Sequence, residues 1–188
     1  MAHPDTKQII MQIARKTVQA QGYNALSFRE LAKEVGIKSA SIHYHFPTKS
    51  DLAVALARAY TQEATDYLQS AFEASQDPAT LMANFASCFR SALENDNRMC
   101  LCGIMAAEHH DLPVNVRDAV NEFTQTSIQW IAQVLALRTP DAAPELLKRR
   151  AGSIFAAIQG AQLVARGSND ISMFDDTLEA YRNAGLIP

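Results

Sequence analysis

Two stretches of this 188-residue chain hold side chains whose types and spacing suit chemistry. The first, GIKSASIHYHFPTKSDL (36–52), places His43 and His45 one residue apart, with Tyr44 between them and Phe46 behind. The second, RMCLCGIMAAEHHDLP (98–113), gathers Cys100, Cys102, Glu108, His109, His110 and Asp111. A metal site, a catalytic pair and a nucleic-acid reader are the candidates for the first. Metal binding and thiol sensing are the candidates for the second.

In the first stretch, residues at i and i+2 point to different sides of a helix, so His43 and His45 converge only from extended backbone. No nearby Cys, Asp or third His completes a zinc-like spacing. A histidine base needs an orienting carboxylate and a nucleophile. Asp51 is better suited to starting a helix, and no Gly-rich phosphate loop is present. No metal, cofactor or catalytic residue is therefore expected. Nucleic-acid recognition uses more of the residues. A recognition helix sets short exposed polar side chains against base edges in the major groove. Lys38, Ser39, Ser41 and Tyr44 suit that face, Ala40 keeps it slim and Ile42 packs inward. Lys49 and the unpaired N–H groups at the next helix start reach phosphate. Ser27, Arg29, His43 and Thr48 complete the expected DNA-facing set. Phe46 reads as a core plug. For His45 two readings stand, a bond that fixes the turn or a DNA contact.

In the second stretch, Cys100 and Cys102 face apart on one helix and His109 is adjacent to His110, which is poor metal geometry. Arg98 would favour a thiolate, with Cys88 as a resolving partner. A buried cysteine, by contrast, behaves as a small hydrophobe. Both readings remain open. A metal- or thiol-dependent enzyme on residues 100–111 is one rival function, and a helical adaptor that binds no DNA is another.

The elements that must position these groups read as helices throughout. Ile9, Ile10, Ile13, Ala14 and Val18 share one face and Gly22 stops their helix. Ser27 and Glu30 form a capping box for a helix that ends at Gly36. A short helix over 38–45 follows, then a long one from Thr48, where Thr48 and Asp51 repeat the box. Further helices are expected near 79–95, 99–110, 114–137, 143–166 and 171–183, separated by turn-rich breaks. Two short helices, a tight Gly turn and a long helix form a helix-turn-helix pattern. The expected fold is all-α: an N-terminal three-helix DNA-binding domain (1–50) and a C-terminal helical bundle (51–188).

Charge is uneven. The first 58 residues hold eight Lys and Arg against four acids, and the rest carries seven net negative charges within the chain total of −3. A basic front suits a polyanion. MAHPDTK has no apolar signal region, and no apolar run reaches the ~18 residues of a membrane span. Three cysteines form no disulfide framework, so a reducing cytoplasm is expected.

Residues 7–52 resemble the DNA-binding region of the TetR family of transcriptional regulators. The resemblance rests on QGYNALSFRELAKEVGIKSASIHYHFPTKSDL, with Gly22, Ser27, Leu31, Ala32, Gly36, Ile42, His45, Phe46, Lys49 and Leu52 in register. Lys38 stands where a small capping residue is usual, so Ser39 is expected to cap. Ala40 replaces a common glycine. His43 replaces a tyrosine that often contacts phosphate, a role Tyr44 would take over. The resemblance implies a homodimeric repressor with two reading helices about 34–36 Å apart. It also implies release from operator DNA by a small-molecule inducer, with a thiol-reactive electrophile among the possibilities. Candidate pocket walls are Phe85, Phe89, Met99, Cys102, Met105, Phe123, Trp130 and Phe155, each more readily read as plain core, with Arg90 and Glu108 as polar anchors if buried. Gly152, Ala156 and Gly160 recur at i, i+4, i+8, which lets helices approach closely. With Phe155 and Leu163 they are expected at a four-helix dimer interface, the alternative being packing against residues 114–137.

Overall fold

Helix periodicity and capping chemistry decide the architecture. The computed structural model describes residues 6–188. Residues 1–5, on which the expectation about a signal region falls, lie outside the described part. Among the described residues there are nine helices and no strand: α1 (Thr6–Gln21), α2 (Phe28–Val35), α3 (Ser39–His45), α4 (Lys49–Ala74), α5 (Pro78–Glu94), α6 (Leu101–Ala107), α7 (Val114–Arg138), α8 (Pro144–Ser168) and α9 (Ser172–Asn183). No helix among them is long and apolar enough to cross a membrane.

The chain divides into two compact units, Met1–Tyr60 with Leu101–Asn121, and Thr61–Cys100 with Glu122–Pro188. In the first, Ile10, Ala14 and Val18 of α1, Leu31 and Ala32 of α2 and Ile42 of α3 are buried. So are Phe46, Leu52 and Leu56, together with Leu101 and Met105 of α6. Contacts of α1 with α2, α3 and α6 bind this unit. In the second, α8 packs on α5 and α9. Its centre is aromatic: Trp130 stacks on Phe85 at 5.7 Å, and Phe155 meets Phe85, Phe89 and Phe123 edge-on at 6.5, 6.4 and 6.2 Å.

The caps explain most boundaries. The Ser27 hydroxyl accepts from the Glu30 N–H at 3.5 Å, and Gly36 closes α2 with φ +78°. Thr48 and Asp51 form a reciprocal box: the Thr48 N–H donates to Asp51 Oδ2 at 3.0 Å and the Asp51 N–H to Thr48 Oγ1 at 3.1 Å. Asp77 accepts from the Thr80 N–H at 2.9 Å ahead of Pro78, which suits the first helical position. Two expectations need correction. Lys38, not Ser39, is the N-cap residue of α3, and no side chain caps it. The helix expected over 99–110 is shorter, because after Ala107 the chain turns, with the Asp111 N–H bonded to the Glu108 carbonyl at 2.9 Å.

Candidate nucleic-acid interface

One side of α3 is solvent-facing. Lys38, Ser39, Ala40, His43 and Tyr44 are exposed and Ser41 is half-buried, while Ile42 and Phe46 point into the core. Tyr44 is 84% exposed despite its large ring. Arg29 at the start of α2 has a 92% exposed side chain, with only a loose 3.9 Å approach to Glu30. Ser27 is half-buried and Thr48 exposed, each engaged in its helix cap. His43 Nδ1 lies 3.2 Å from the Pro47 carbonyl oxygen, so the Nδ1–H tautomer donates across the turn. The His43 ring also meets Phe28 edge-on at 4.9 Å. The turn-fixing role read for His45 therefore falls to His43. Half-buried His45 instead packs edge-on against Tyr44 at 5.3 Å.

Lys49 is less open than expected for a phosphate ligand. Its ammonium donates to the Asn24 carbonyl at 3.3 Å and lies 4.2 Å from the centre of the Tyr23 ring. Burial lowers its pKa, opposed by the negative charge of Glu108. The Glu108 carboxylate accepts from the Tyr23 N–H and, at 3.2 Å, from the Asn24 N–H. Burial, then the same carboxylate, raises the pKa of the Tyr23 phenol. The Asn24 side-chain amide donates to Asp111 at 2.6 Å, and the Ser50 hydroxyl to Asn115 at 2.7 Å. Residues 108–115 thus brace both the α1–α2 turn and the start of α4. Gly22 permits this brace: its φ is +90°, and a Cβ there would come within 2.5 Å of Glu108. No spacing in the sequence links residues so far apart.

The expected pocket residues are divided between the two units. Cys102, Met105 and Glu108 belong to the first unit, and the others to the second. Glu108 is no pocket anchor, since its carboxylate is engaged as above. Arg90 is no buried anchor either. It lines a surface groove of about 460 Å³ formed by α5 and α9, and donates to both oxygens of Asp175 at 2.8 and 2.9 Å and to Glu94. These bonds raise the Arg90 pKa and hold Asp175 below the usual carboxylate range. Phe85, Phe89, Met99, Phe123, Trp130 and Phe155 are buried. Gln162, which the sequence shows only as a polar break, is wholly buried; its Oε1 accepts from the Cys100 N–H at 3.0 Å and its Nε2 donates to the Phe89 carbonyl at 2.8 Å.

The cysteines are poorly placed for thiolate chemistry. Cys100 and Cys102 are buried, and burial, with Cys100 nearby, pushes the Cys88 thiol up to about 11. Arg98 is held by Asp96 at 2.6 Å. Among the described residues no group of three or more His, Cys, Asp and Glu is arranged to hold a metal ion.

The small-residue stripe on α8 splits. Phe155 faces its own unit's aromatic core, and a Cβ at Gly152 would lie 3.9 Å from Ile128. Ala156 and Gly160 are exposed, and a Cβ at Gly160 would meet no atom within 4 Å. Leu163 and Val164 beside them are 61% and 52% exposed.

A buried three-helix scaffold with a solvent-facing polar third helix defines a helix-turn-helix DNA-binding protein. The family model described as bacterial regulatory proteins, tetR family, matches residues 10–56. A TetR transcriptional regulator from Legionella pneumophila superposes with a TM-score of 0.90 at 29% identity over 100% of both chains. One from Agrobacterium tumefaciens does so with 0.85 at 28% identity, over 92% of this chain and 93% of that one. The HTH-type transcriptional regulator LmrA of Bacillus subtilis is 29% identical over 126 residues, 65% of this chain and 66% of its own. YxaF of the same organism is 30% identical over 53% of this chain. The matched parts span 66% and 52% of those two Bacillus proteins. Residues 10–56 thus match the tetR family model, and over its whole length the chain is similar to TetR transcriptional regulators.

Proposed function

We propose that the protein is a homodimeric repressor that reads a near-palindromic operator and is released by a non-covalent small-molecule inducer. Residues 1–50 form the reading head and 51–188 the effector part. The carrying observation is the exposure of Lys38, Ser39, Ala40, His43 and Tyr44 on one side of α3, a slim polar edge with no protein over it. Ser41 and Tyr44 discriminate bases; Arg29 and the N–H groups at the start of α4 outside the Thr48–Asp51 box hold phosphates, while Thr48 fixes that helix start. Lys49 contributes positive field and turn stability together.

Exposed Leu163, Val164 and Gly160 on α8, with Met173 on α9, support an isologous interface with a second copy. The buried cysteines favour a non-covalent inducer over a thiol-reactive one. Such an inducer acts by binding the state that does not fit the operator better than the one that does.

Footprinting of an operator enriched from random duplexes tests this. Two protected half-sites about 10–10.5 base pairs apart, or a multiple, are expected. A single isolated half-site with a monomeric solution mass would contradict the dimer. Retention of DNA against every compound in a broad panel would contradict the sensor.

A further inference from the structure

Between α4 and α7, within the second unit, lies a cavity of about 30 Å³. Its lining combines the hydroxyl residues Thr61, Thr65, Thr126 and Ser127 with the rings of Phe123 and Trp130. None of its lining residues carries an ionisable side chain. Trp130 is buried, and its indole N–H has no hydrogen-bond partner. An unmatched buried donor costs ~1–3 kcal/mol, and an indole N–H can only donate. The ring is held by Phe85, stacked at 5.7 Å, and by Phe72, edge-on at 6.4 Å.

These features restrict the guest. An ion entering would lose its hydration without a counter-charge, so the guest is neutral. Aromatic walls favour a flat apolar body. The unmatched donor selects an acceptor oxygen. A cavity of this size admits a carbonyl group rather than a whole ring. A larger guest therefore binds a widened form, and its affinity falls with the population of that form.

We propose that the second unit binds a neutral, flat carbonyl compound whose oxygen accepts from the Trp130 indole N–H. As an account of the inducer, this rests on the ligand-responsive reading above. Trp130 is the chain's only tryptophan, so its fluorescence reports on the site directly.

The test titrates the full chain with acetophenone, ethylbenzene and benzoate, which share a ring and differ in acceptor and charge. Fluorescence reads the wild type, and calorimetry reads wild type and Trp130→Phe. Acetophenone should saturate about 3–10-fold more tightly than ethylbenzene, the difference one hydrogen bond makes. Benzoate should bind most weakly, and Trp130→Phe should lose the preference for acetophenone. Equal binding of acetophenone and ethylbenzene, tighter binding of benzoate, saturation by none of the three, or a preference that survives in Trp130→Phe overturns the proposal. Should Trp130→Phe not fold, the wild-type ranking decides alone. Operator binding measured in the same samples separates the two readings: acetophenone bound at Trp130 without DNA release contradicts the sensor and leaves the site standing.

Discussion

Around α3, polar side chains outnumber the partners the protein supplies: Lys38, Ser39 and Tyr44 project into solvent from a short helix anchored by Ile42 and Phe46. Around α6 the balance is reversed. Cys100 and Cys102 are buried, and Glu108 and Asp111 are tied to residues 23 and 24. Both stretches pair histidines with other reactive side chains. What separates them is commitment: Lys38, Ser39 and Tyr44 stay available to a partner molecule, while Glu108 and Asp111 hold the protein's own fold. A polar cluster points to external chemistry only when its hydrogen-bonding capacity is not already consumed internally.

That contrast can be broken by substitution. The largest effect is expected at Gln162, a purely internal commitment. Gln162→Leu removes the partners of the Cys100 N–H and the Phe89 carbonyl and should cost ~2–4 kcal/mol of stability. Denaturant unfolding checks this, and a neutral result would show that the second unit tolerates the loss. Tyr44→Ala should do the opposite, leaving stability within ~0.5 kcal/mol while weakening specific DNA binding by ~1–3 kcal/mol. Glu108→Gln should lie between, losing ~1–2 kcal/mol of stability through a weakened brace. Its amide exchange should quicken first at Tyr23 and Asn24. If Glu108→Gln changed neither stability nor exchange, the α6 cluster would not be structural.

The smallest effect concerns pH. Arg90 lowers the Asp175 pKa, so this pair stabilises the fold above the carboxyl's unfolded value and loses that contribution as pH falls through the folded one. Both side chains are more than a third exposed, which limits the contribution to ~0.5 kcal/mol. Asp175→Asn should lower the melting temperature slightly near pH 7 and leave it close to wild type near pH 2.

Much of the fold was legible because its signals are local. Ser27 with Glu30, Thr48 with Asp51, Gly36 and Pro78 mark helix ends by chemistry acting within one turn. The inward face of α3 was readable from Ile42 and Phe46. What escaped was non-local or conformational. Nothing near Glu108 announces that residues 23 and 24 need its oxygens, and nothing near Gln162 announces the Cys100 N–H. The exchange of roles between His43 and His45 depends on the path of the chain into Pro47, which residue types alone do not specify. Phe155 was assigned to two faces because a helix whose apolar residues spread widely around it offers no single stripe.

The central claim is that the exposed edge of α3 grips duplex DNA. It is tested most directly by measuring the affinity of the full chain for an enriched operator at several salt concentrations, for wild type, Tyr44→Ala and Arg29→Ala. Log affinity should fall linearly with log salt. Tyr44→Ala should lose about 10–100-fold with an unchanged slope, and Arg29→Ala should shallow the slope by about 1. Salt-independent binding, or a Tyr44→Ala protein that binds the operator as wild type does, would contradict it.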